Sequence, residues 1–399
     1  MLSLRNLKKR ERKNILHEFA IMTHWRYIQE DAVSAHHGLA TDEFLMESHC
    51  SEENLDLPAS LRLYTYRDHC ALVGRFQNIQ AELDLEACKK EDVQFSRRLT
   101  GGGAIIMGQD QLGICLATSP KAFEWQNLRE LYVLFSKPII RALQKLGIEA
   151  VFCSKNDLEV EGRKIAGLGI HVNPKGAIQF HTSLLVDLDI LQMLKVLQIP
   201  IQKYSDRRKI QSVEQRITTV SREINRDMAV EEVRQGVKNG FEEYFQIRLE
   251  ERPVSARENG QIKKIAQQRY LEDEWIFQRS PQPDMTGMSL KKTPAGLLRT
   301  YIGLKGETIK SVLITGDFFE GLAAFKTIER QLKWSPLNIE KIEQTVKAAF
   351  AEREKSTSNI SAEEVVEAIW IAARRARAEN RFTYNGSCYY PEKEKAKPV

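Results

Sequence analysis

Asp157-Leu158-Glu159-Val160-Glu161-Gly162-Arg163-Lys164-Ile165-Ala166-Gly167-Leu168-Gly169-Ile170-His171-Val172 reads as two strands joined by a tight turn at Glu161-Gly162. A second turn, Asn173-Pro174-Lys175-Gly176, follows at once, and Ala177 to Leu188 supplies a third strand. Proline at the second turn position and glycine after Lys175 are the residues such a turn needs. Three strands in succession with short turns make an antiparallel meander. The core is therefore expected to be α+β, with a mainly antiparallel sheet, and not a parallel doubly wound sheet.

Outward from the meander, Trp125 to Leu146 places Leu128, Leu131, Leu134, Phe135, Ile139, Leu143 and Leu146 on one helical face. Gly147 is a natural helix end, and Pro138 is expected to kink or split the helix. Earlier in the chain, Leu39–Leu45 is helical in pattern. Leu61–Tyr66 and Cys70–Gly74 read as strands, and Leu112–Ala117 is expected to pair with residues 97–106. Beyond the meander, residues 200–226 are polar and irregular, Val230–Phe245 is a helix, and Gly260–Tyr270 is helical. From Trp275 the pattern changes. Gly296–Ile302 and Thr308–Ile314 form a hairpin turning at Lys305-Gly306, with helices near 319–333, 337–350 and 361–379. This organisation gives a basic extension over 1–24, a large domain over 25–250, a linker over 251–272, a small α+β domain over 273–380 and a charged tail over 381–399.

The chain has 399 residues, enough for two or three domains of roughly 100–200 residues each. Its net charge of +5 is too diffuse to argue for a nucleic-acid partner. Cys50, Cys70, Cys88, Cys115, Cys153 and Cys388 are scattered, with neither Cys-x-x-Cys nor zinc spacing. That usage fits reduced thiols in a cytoplasmic protein better than a secreted disulfide framework. No apolar run approaches the ~18–20 residues that span a bilayer, so no membrane partner is expected. Lys8-Lys9-Arg10-Glu11-Arg12-Lys13 is basic, but no secretory core follows it.

Two segments carry chemistry. Arg97-Arg98-Leu99-Thr100-Gly101-Gly102-Gly103-Ala104-Ile105-Ile106 joins two arginines and a hydroxyl to three glycines. Exposed N–H groups in such a bend favour anions, and the guanidinium donors suit phosphate or carboxylate. A plain glycine-rich hairpin with arginines facing water fits the same residues, and the segment alone does not separate the two readings. In the second segment, Cys153 to Gly167, pairing across the turn brings Asp157 and Lys164 within reach of one phosphate group. The lysine would act as a compact charge and the carboxylate through Mg²⁺.

Taken in order, Arg98/Thr100/Gly101-Gly102-Gly103-Ala104, then Asn156-Asp157-Leu158, then Gly162-Arg163-Lys164-Ile165-Ala166-Gly167 resembles the lipoate–protein ligase family. The likeness extends to Val73-Gly74-Arg75-Phe76-Gln77-Asn78, Glu82, Cys88, His181, Leu184-Leu185, Ser212-Val213 and Arg216-Ile217-Thr218, and in the second domain to Trp275 and the 296–315 hairpin. The resemblance implies a fold shared with biotin protein ligases and class II aminoacyl-tRNA synthetases, plus a C-terminal accessory domain. It implies ATP and Mg²⁺ as cofactors. Lipoate, or octanoate as a second acyl substrate, would be activated to an acyl-adenylate and passed to a lysine of a lipoyl-domain or H-protein-like acceptor. On this likeness Arg98, Thr100, Gly101, Gly102, Gly103, Ala104, Ile105, Ile106, Asn156 and Asp157 hold the nucleotide, with Asp157 meeting Mg²⁺ through phosphate. Lys164 is the catalytic cation and also meets lipoate. Leu72, Val73, Gly74, Arg75 and His181 line the acyl site. Departures lie at Met107-Gly108-Gln109-Asp110-Gln111, where the family pattern has a histidine, at Lys155 in place of arginine, and at Thr182-Ser183. The alternative is an octanoyl or lipoyl transferase of the same fold with Cys153 as thioester nucleophile; a biotin ligase and a non-catalytic acyl-domain binder are further alternatives.

Overall fold

The computed structural model describes residues 24–50, 57–119, 121–153, 156–198, 215–318, 322–351 and 360–379. Apart from His24, the expected basic extension over 1–24 lies outside the described residues. So do the tail over 381–399 and Ser154, Lys155, Ser212, Val213 and Cys388. The chain divides into two compact units. The first holds the described residues up to Val73, then Glu82–Thr100 and Ala104–Ile276. The second holds Gly74–Ala81, Gly101–Gly103 and the described residues from Phe277 on.

The first unit contains strands β1 (His24–Val33), β2 (Ala59–Tyr66), β3 (Cys70–Val73), β4 (Gln94–Arg97), β5 (Ile105–Met107), β6 (Gln111–Thr118), β7 (Val151–Cys153), β8 (Asp157–Val160), β9 (Arg163–Val172), β10 (Ile178–Leu185) and β11 (Arg248–Glu251). Eight of them make one sheet in the order β11-β1-β2-β6-β10-β9-β8-β7. Only the β1 pairings with β2 and β11 are parallel, so the sheet is mainly antiparallel, as read from the meander. The turn between β8 and β9 uses positive φ at Glu161 (50°) and Gly162 (77°), the hairpin geometry that matches strand twist. At the next turn, Gly176 N donates to Asn173 O at 2.9 Å with Gly176 at φ 87°.

The longer helices among the described residues of this unit are α1 (Ala35–Ser48), α2 (Leu128–Lys145), α3 (Val230–Phe245) and α4 (Ala256–Ile265). Asn127 caps α2 by accepting from Glu130 N, which supplies one of the orphan donors of a helix start. Pro138 does not split α2; the helix is one element through it. The Pro138 carbonyl abuts α3 where Gly240 lacks a side chain, and a Cβ there would lie 2.4 Å from it. The largest core packs these two helices on the sheet face that carries Ile114, Leu116, Leu158, Ile165, Ala166, Leu168 and Phe180. Helix α1 covers the opposite face, where Leu39 and Ala40 cluster with Tyr64, Tyr66, Cys70, Leu72 and Cys115.

Two expectations are corrected. Leu112–Ala117 does not pair with residues 97–106: β6 sits between β2 and β10 in the main sheet. Ile105–Met107 instead joins a three-stranded sheet, β4-β3-β5. Both segments are apolar and β-prone, and adjacency in sequence favours their pairing. The main sheet, however, buries β6 on both faces. The linker expected over 251–272 is also absent: those residues include α4, whose Glu258 receives Arg26 at 2.6 Å and whose Ile262 lies in the core cluster under α1.

The second unit has a four-stranded antiparallel sheet of β12 (Gly287–Thr293), β13 (Gly296–Lys305), β14 (Thr308–Gly316) and β15 (Ser335–Pro336). Helices α5 (Leu322–Leu332), α6 (Ile339–Ala351) and α7 (Ala362–Glu379) share its apolar core. The β13–β14 hairpin turns at Gly306, φ 58°, as its sequence predicts. The whole chain is thus α+β with a smaller C-terminal sheet unit.

Candidate functional site

Strand register lays out the face of the main sheet on the α1 side. One row runs Asp157, Gly167, Ser183, Gly113, Tyr64 across β8, β9, β10, β6 and β2. The next runs Gly169, His181, Cys115, Arg62. Glycines at 167 and 169 leave the β9 part of this face bare, and two side chains lie over them. A Cβ on Gly167 would be 2.9 Å from Lys164 Nζ, and one on Gly169 would be 2.9 Å from Thr100 Oγ1.

Lys164 reaches this face because β9 is irregular. The register passes from Leu158–Ala166 to Glu159–Lys164, so Ile165 is an extra residue on β9. Such a bulge re-aims a side chain. Ile165 and Ala166 both enter the apolar core, and Lys164 turns to the other side, its Nζ 2.8 Å from Asp157 Oδ1. Beyond the end of β10, residues 216–218 take over as the backbone partner of Lys164. Lys164 N donates to Arg216 O at 2.8 Å, and Thr218 N donates to Lys164 O at 2.9 Å.

The arginine pair divides its work. Arg97 is fully buried, and its guanidinium donates to the carbonyls of Trp275 and Ile276, while Trp275 Nε1 returns a bond to Arg97 O at 2.8 Å. Arg97 is therefore a structural clamp and not half of an anion site. Arg98 is also buried. Its Nη1 donates to Leu72 O at 2.7 Å and its Nε to Thr100 Oγ1 at 3.2 Å, and its N–H meets Val73 O. Burial, opposed by the Tyr66 and Tyr132 hydroxyls, pulls Arg98 down to about 10. Burial and the Arg98 charge push His181 down to about 3, which leaves its ring neutral.

Arg98, Thr100, Lys164, Asp157 and His181 thus gather on one sheet face. Thr100 and Lys164 lie over glycines two residues apart on β9, about 7 Å along the strand. The other expected positions are less direct. Asn156 commits its side-chain amide to Leu168 O at 2.8 Å. Leu72 contributes its carbonyl to Arg98, while its side chain is packed with Tyr64, Tyr66 and Met107. Ala104–Ile106 leads into β5. Gly74, Arg75 and Gly101–Gly103 group with the second unit. There Gly102, φ 93°, donates its N–H to Phe318 O at 3.4 Å, and a Cβ on Gly74 would lie 2.0 Å from Gly102 O. Part of the glycine requirement is therefore the approach of one backbone to another. Sequence reasoning missed the bulge and the Thr100–Gly169 contact. It noted Arg216-Ile217-Thr218 without a role for them.

Cys153 ends β7 opposite Asp157 and is half-buried. Burial, a hydrogen bond from the thiol to Glu159, and the charges of Glu159 and Asp157 all push it up, away from the thiolate that a nucleophile requires. Among the described residues no helix is long and apolar enough to cross a membrane.

A first prediction concerns the glycine floor. Gly167→Ala puts a methyl where Lys164 Nζ lies. The lysine is flexible, so the fold should accommodate the change with the melting temperature nearly unmoved, while Nζ shifts away from Asp157. Displacement of a reacting group by about 1 Å lowers rates on the order of 10- to 100-fold, to be read by steady-state kinetics beside a thermal melt.

Residues 34–242 match the lipoyl protein ligase A/B catalytic domain, and residues 282–369 match the bacterial lipoate protein ligase C-terminus. Octanoyltransferase LipM of Halalkalibacterium halodurans is 27% identical over 281 residues, which covers 65% of this chain and 100% of that protein. Lipoate-protein ligase LplJ of Bacillus subtilis is 27% identical over 288 residues, 72% of this chain and 84% of that protein. A solved structure from an archaeal bipartite lipoate protein ligase system, that of Thermoplasma acidophilum, superposes with a TM-score of 0.58 at 25% identity, covering 65% of this chain and 98% of the other. Octanoyltransferases LipM of several other bacteria match at 25–27% identity as well, which stands nearer to the transferase alternative than to the ligase expectation.

Proposed function

Because the chain belongs to the lipoyl protein ligase A/B catalytic domain family, we propose that it is an enzyme joining a lipoyl or octanoyl group to a lysine of a small acceptor protein domain. The observation that carries this reading is the convergence of Lys164–Asp157 and Arg98–Thr100 over the glycines of β9.

The ligase route runs in two steps. A carboxylate oxygen of the acyl substrate attacks the α-phosphorus of ATP, and the bond to pyrophosphate breaks. The acceptor amine then attacks the acyl carbonyl, forming the amide and releasing AMP with loss of a proton from nitrogen. Lys164 donates to the carboxylate and α-phosphate oxygens as charge builds, the kind of preorganised donor that dominates such sites. Arg98 and Thr100 hold the phosphate from the other side, and neutral His181 lies beside Arg98 without adding charge. Mg²⁺ fits only as a companion of the triphosphate. Asp157 is one carboxylate already 2.8 Å from Lys164, a thin donor set for an ion that is usually held by one or two carboxylates plus substrate phosphates. The match to a ligase C-terminal domain supports the ligase route.

A second reading is favoured by the relatives' names. As an octanoyl or lipoyl transferase, the enzyme would use Cys153 to attack an acyl thioester, release the donor thiol, and pass the acyl group to the acceptor lysine without ATP. The upward push on the Cys153 thiol weighs against it.

One experiment separates the two routes. Acceptor domain is incubated with free octanoate or lipoate plus ATP and Mg²⁺, or with an octanoyl thioester and no ATP, using wild type and Cys153→Ser. The ligase route predicts ATP-dependent modification that survives Cys153→Ser. Modification from the thioester alone, lost in that variant, would replace it with the transferase route.

A further inference from the structure

We propose that Thr218 and Glu223 are positioning residues that hold the Lys164 bulge in place. The proposal rests on the reading of Lys164 as the cation that meets the acyl donor. Strand β10 pairs with β9 only as far as Leu184–Ala166, so the backbone of Lys164 would have no partner on that side. The strap at 216–218 fills the gap, with a parallel bridge between Lys164 and Ile217.

The strap is itself tied down. Thr218 is fully buried, and its hydroxyl donates to the Glu223 carboxylate. Glu223 also receives Arg163, the residue before Lys164, at 3.0 Å, and its side chain is only 13% exposed. Val220 lies in the large core, Thr219 caps the short turn that carries Glu223, and Ser221 N donates to Val186 O at 3.0 Å just past β10. One carboxylate thus grips both sides of the bulge: Thr218 on the strap and Arg163 on β9. A strand with an unpaired residue is free to slip its register by one. A slip here would return Lys164 to the core side and Ile165 to the open face.

The test reads the lysine directly. Lys164 is labelled with acetic anhydride on the full chain without substrates, and its rate is normalised to exposed Lys137. In Thr218→Val, which keeps volume, and in Glu223→Gln, which weakens the grip on Arg163, Lys164 should label severalfold faster. The kcat should fall on the order of 10-fold, as for a misplaced reacting group, with the KM for the acceptor domain unchanged. Thr218→Ser, which keeps the hydroxyl, should restore both values. Lys164 labelling at the wild-type rate in both Thr218→Val and Glu223→Gln overturns the proposal. Because that readout uses no substrate, it stands apart from the test of the proposed reaction.

Discussion

Lys164→Ala is expected to lower acyl-donor activation by about 10²–10³-fold, the loss seen when a preorganised donor to a developing charge is removed. On the ligase route the measurement is lipoate-dependent exchange of pyrophosphate into ATP. Little fold stability should go with it. The Lys164 and Asp157 side chains are 32% and 28% exposed, and a solvent-accessible pair of this kind contributes at most about 1 kcal/mol. The backbone of Lys164 keeps its bonds to Arg216 and Thr218 whatever the side chain. Arginine is not a conservative replacement. Its planar fork is bulkier than an ammonium, and the lysine it would replace already lies against the β9 backbone, its Cε 3.1 Å from where a Cβ on Gly167 would stand. Lys164→Arg should therefore recover only a small part of the rate. Exchange undiminished in Lys164→Ala would remove the lysine from the chemistry.

Much of the frame that holds this lysine is legible in the sequence. The meander, its two turns, α3 and the β13–β14 hairpin follow from turn residues and periodicity, which are local properties. The aim of Lys164 is not local. A period-two reading of β9 puts Lys164 on the same side as Ala166 and Leu168, the core side. Only the extra residue at Ile165 reverses it, and the bulge is set by the end of β10 and by a strap some fifty residues later. The roles of Arg97 and Arg98 are non-local in the same way. Adjacent arginines look equivalent in sequence, yet one is fixed by carbonyls of Trp275 and Ile276 and the other by the carbonyl of Leu72. The likeness to a known family orders the site segments along the chain, whereas which side chains clamp backbone and which lie on the open sheet face is set by geometry. The pairing of β6 with β2 and β10 is hidden from the sequence for a related reason: an apolar strand carries no mark of which of several neighbours it will join.

Asp42→Ala is expected to cost about 3 kcal/mol, the lower end of the penalty for removing one partner of a buried ion pair, because Glu30 still faces Arg62. That is a large part of the roughly 5–15 kcal/mol that holds a typical domain. Asp42 on α1 and Arg62 on β2 have no solvent exposure and meet at 2.6 Å. Burial works against both charges: at Arg62, Asp42 and Glu30 outweigh it and lift the pKa above the ordinary value, whereas at Asp42 burial outweighs the guanidinium and raises the carboxyl. The same guanidinium donates to Gly38 O and lies 3.8 Å from the centre of the Tyr64 ring, and the Tyr64 hydroxyl donates to Asp42. Tyr64 in turn covers Gly113, where a Cβ would fall 2.6 Å from its ring, and Gly113 stands beside Ser183 in the row that ends at Gly167 and Asp157. Loss of the carboxylate should therefore loosen α1 from the back of the site as well as lower stability, a result read by urea unfolding and by activity at a temperature where the variant is folded. The pairing itself need not be a net gain, because apolar groups of similar size often replace a buried pair without loss. Asp42→Leu with Arg62→Met should then recover most of the stability, since Glu30, 20% exposed, can turn to water. If the double variant unfolds as readily as Asp42→Ala, the cost lies in the lost polar bond from Tyr64 and not in an orphaned charge.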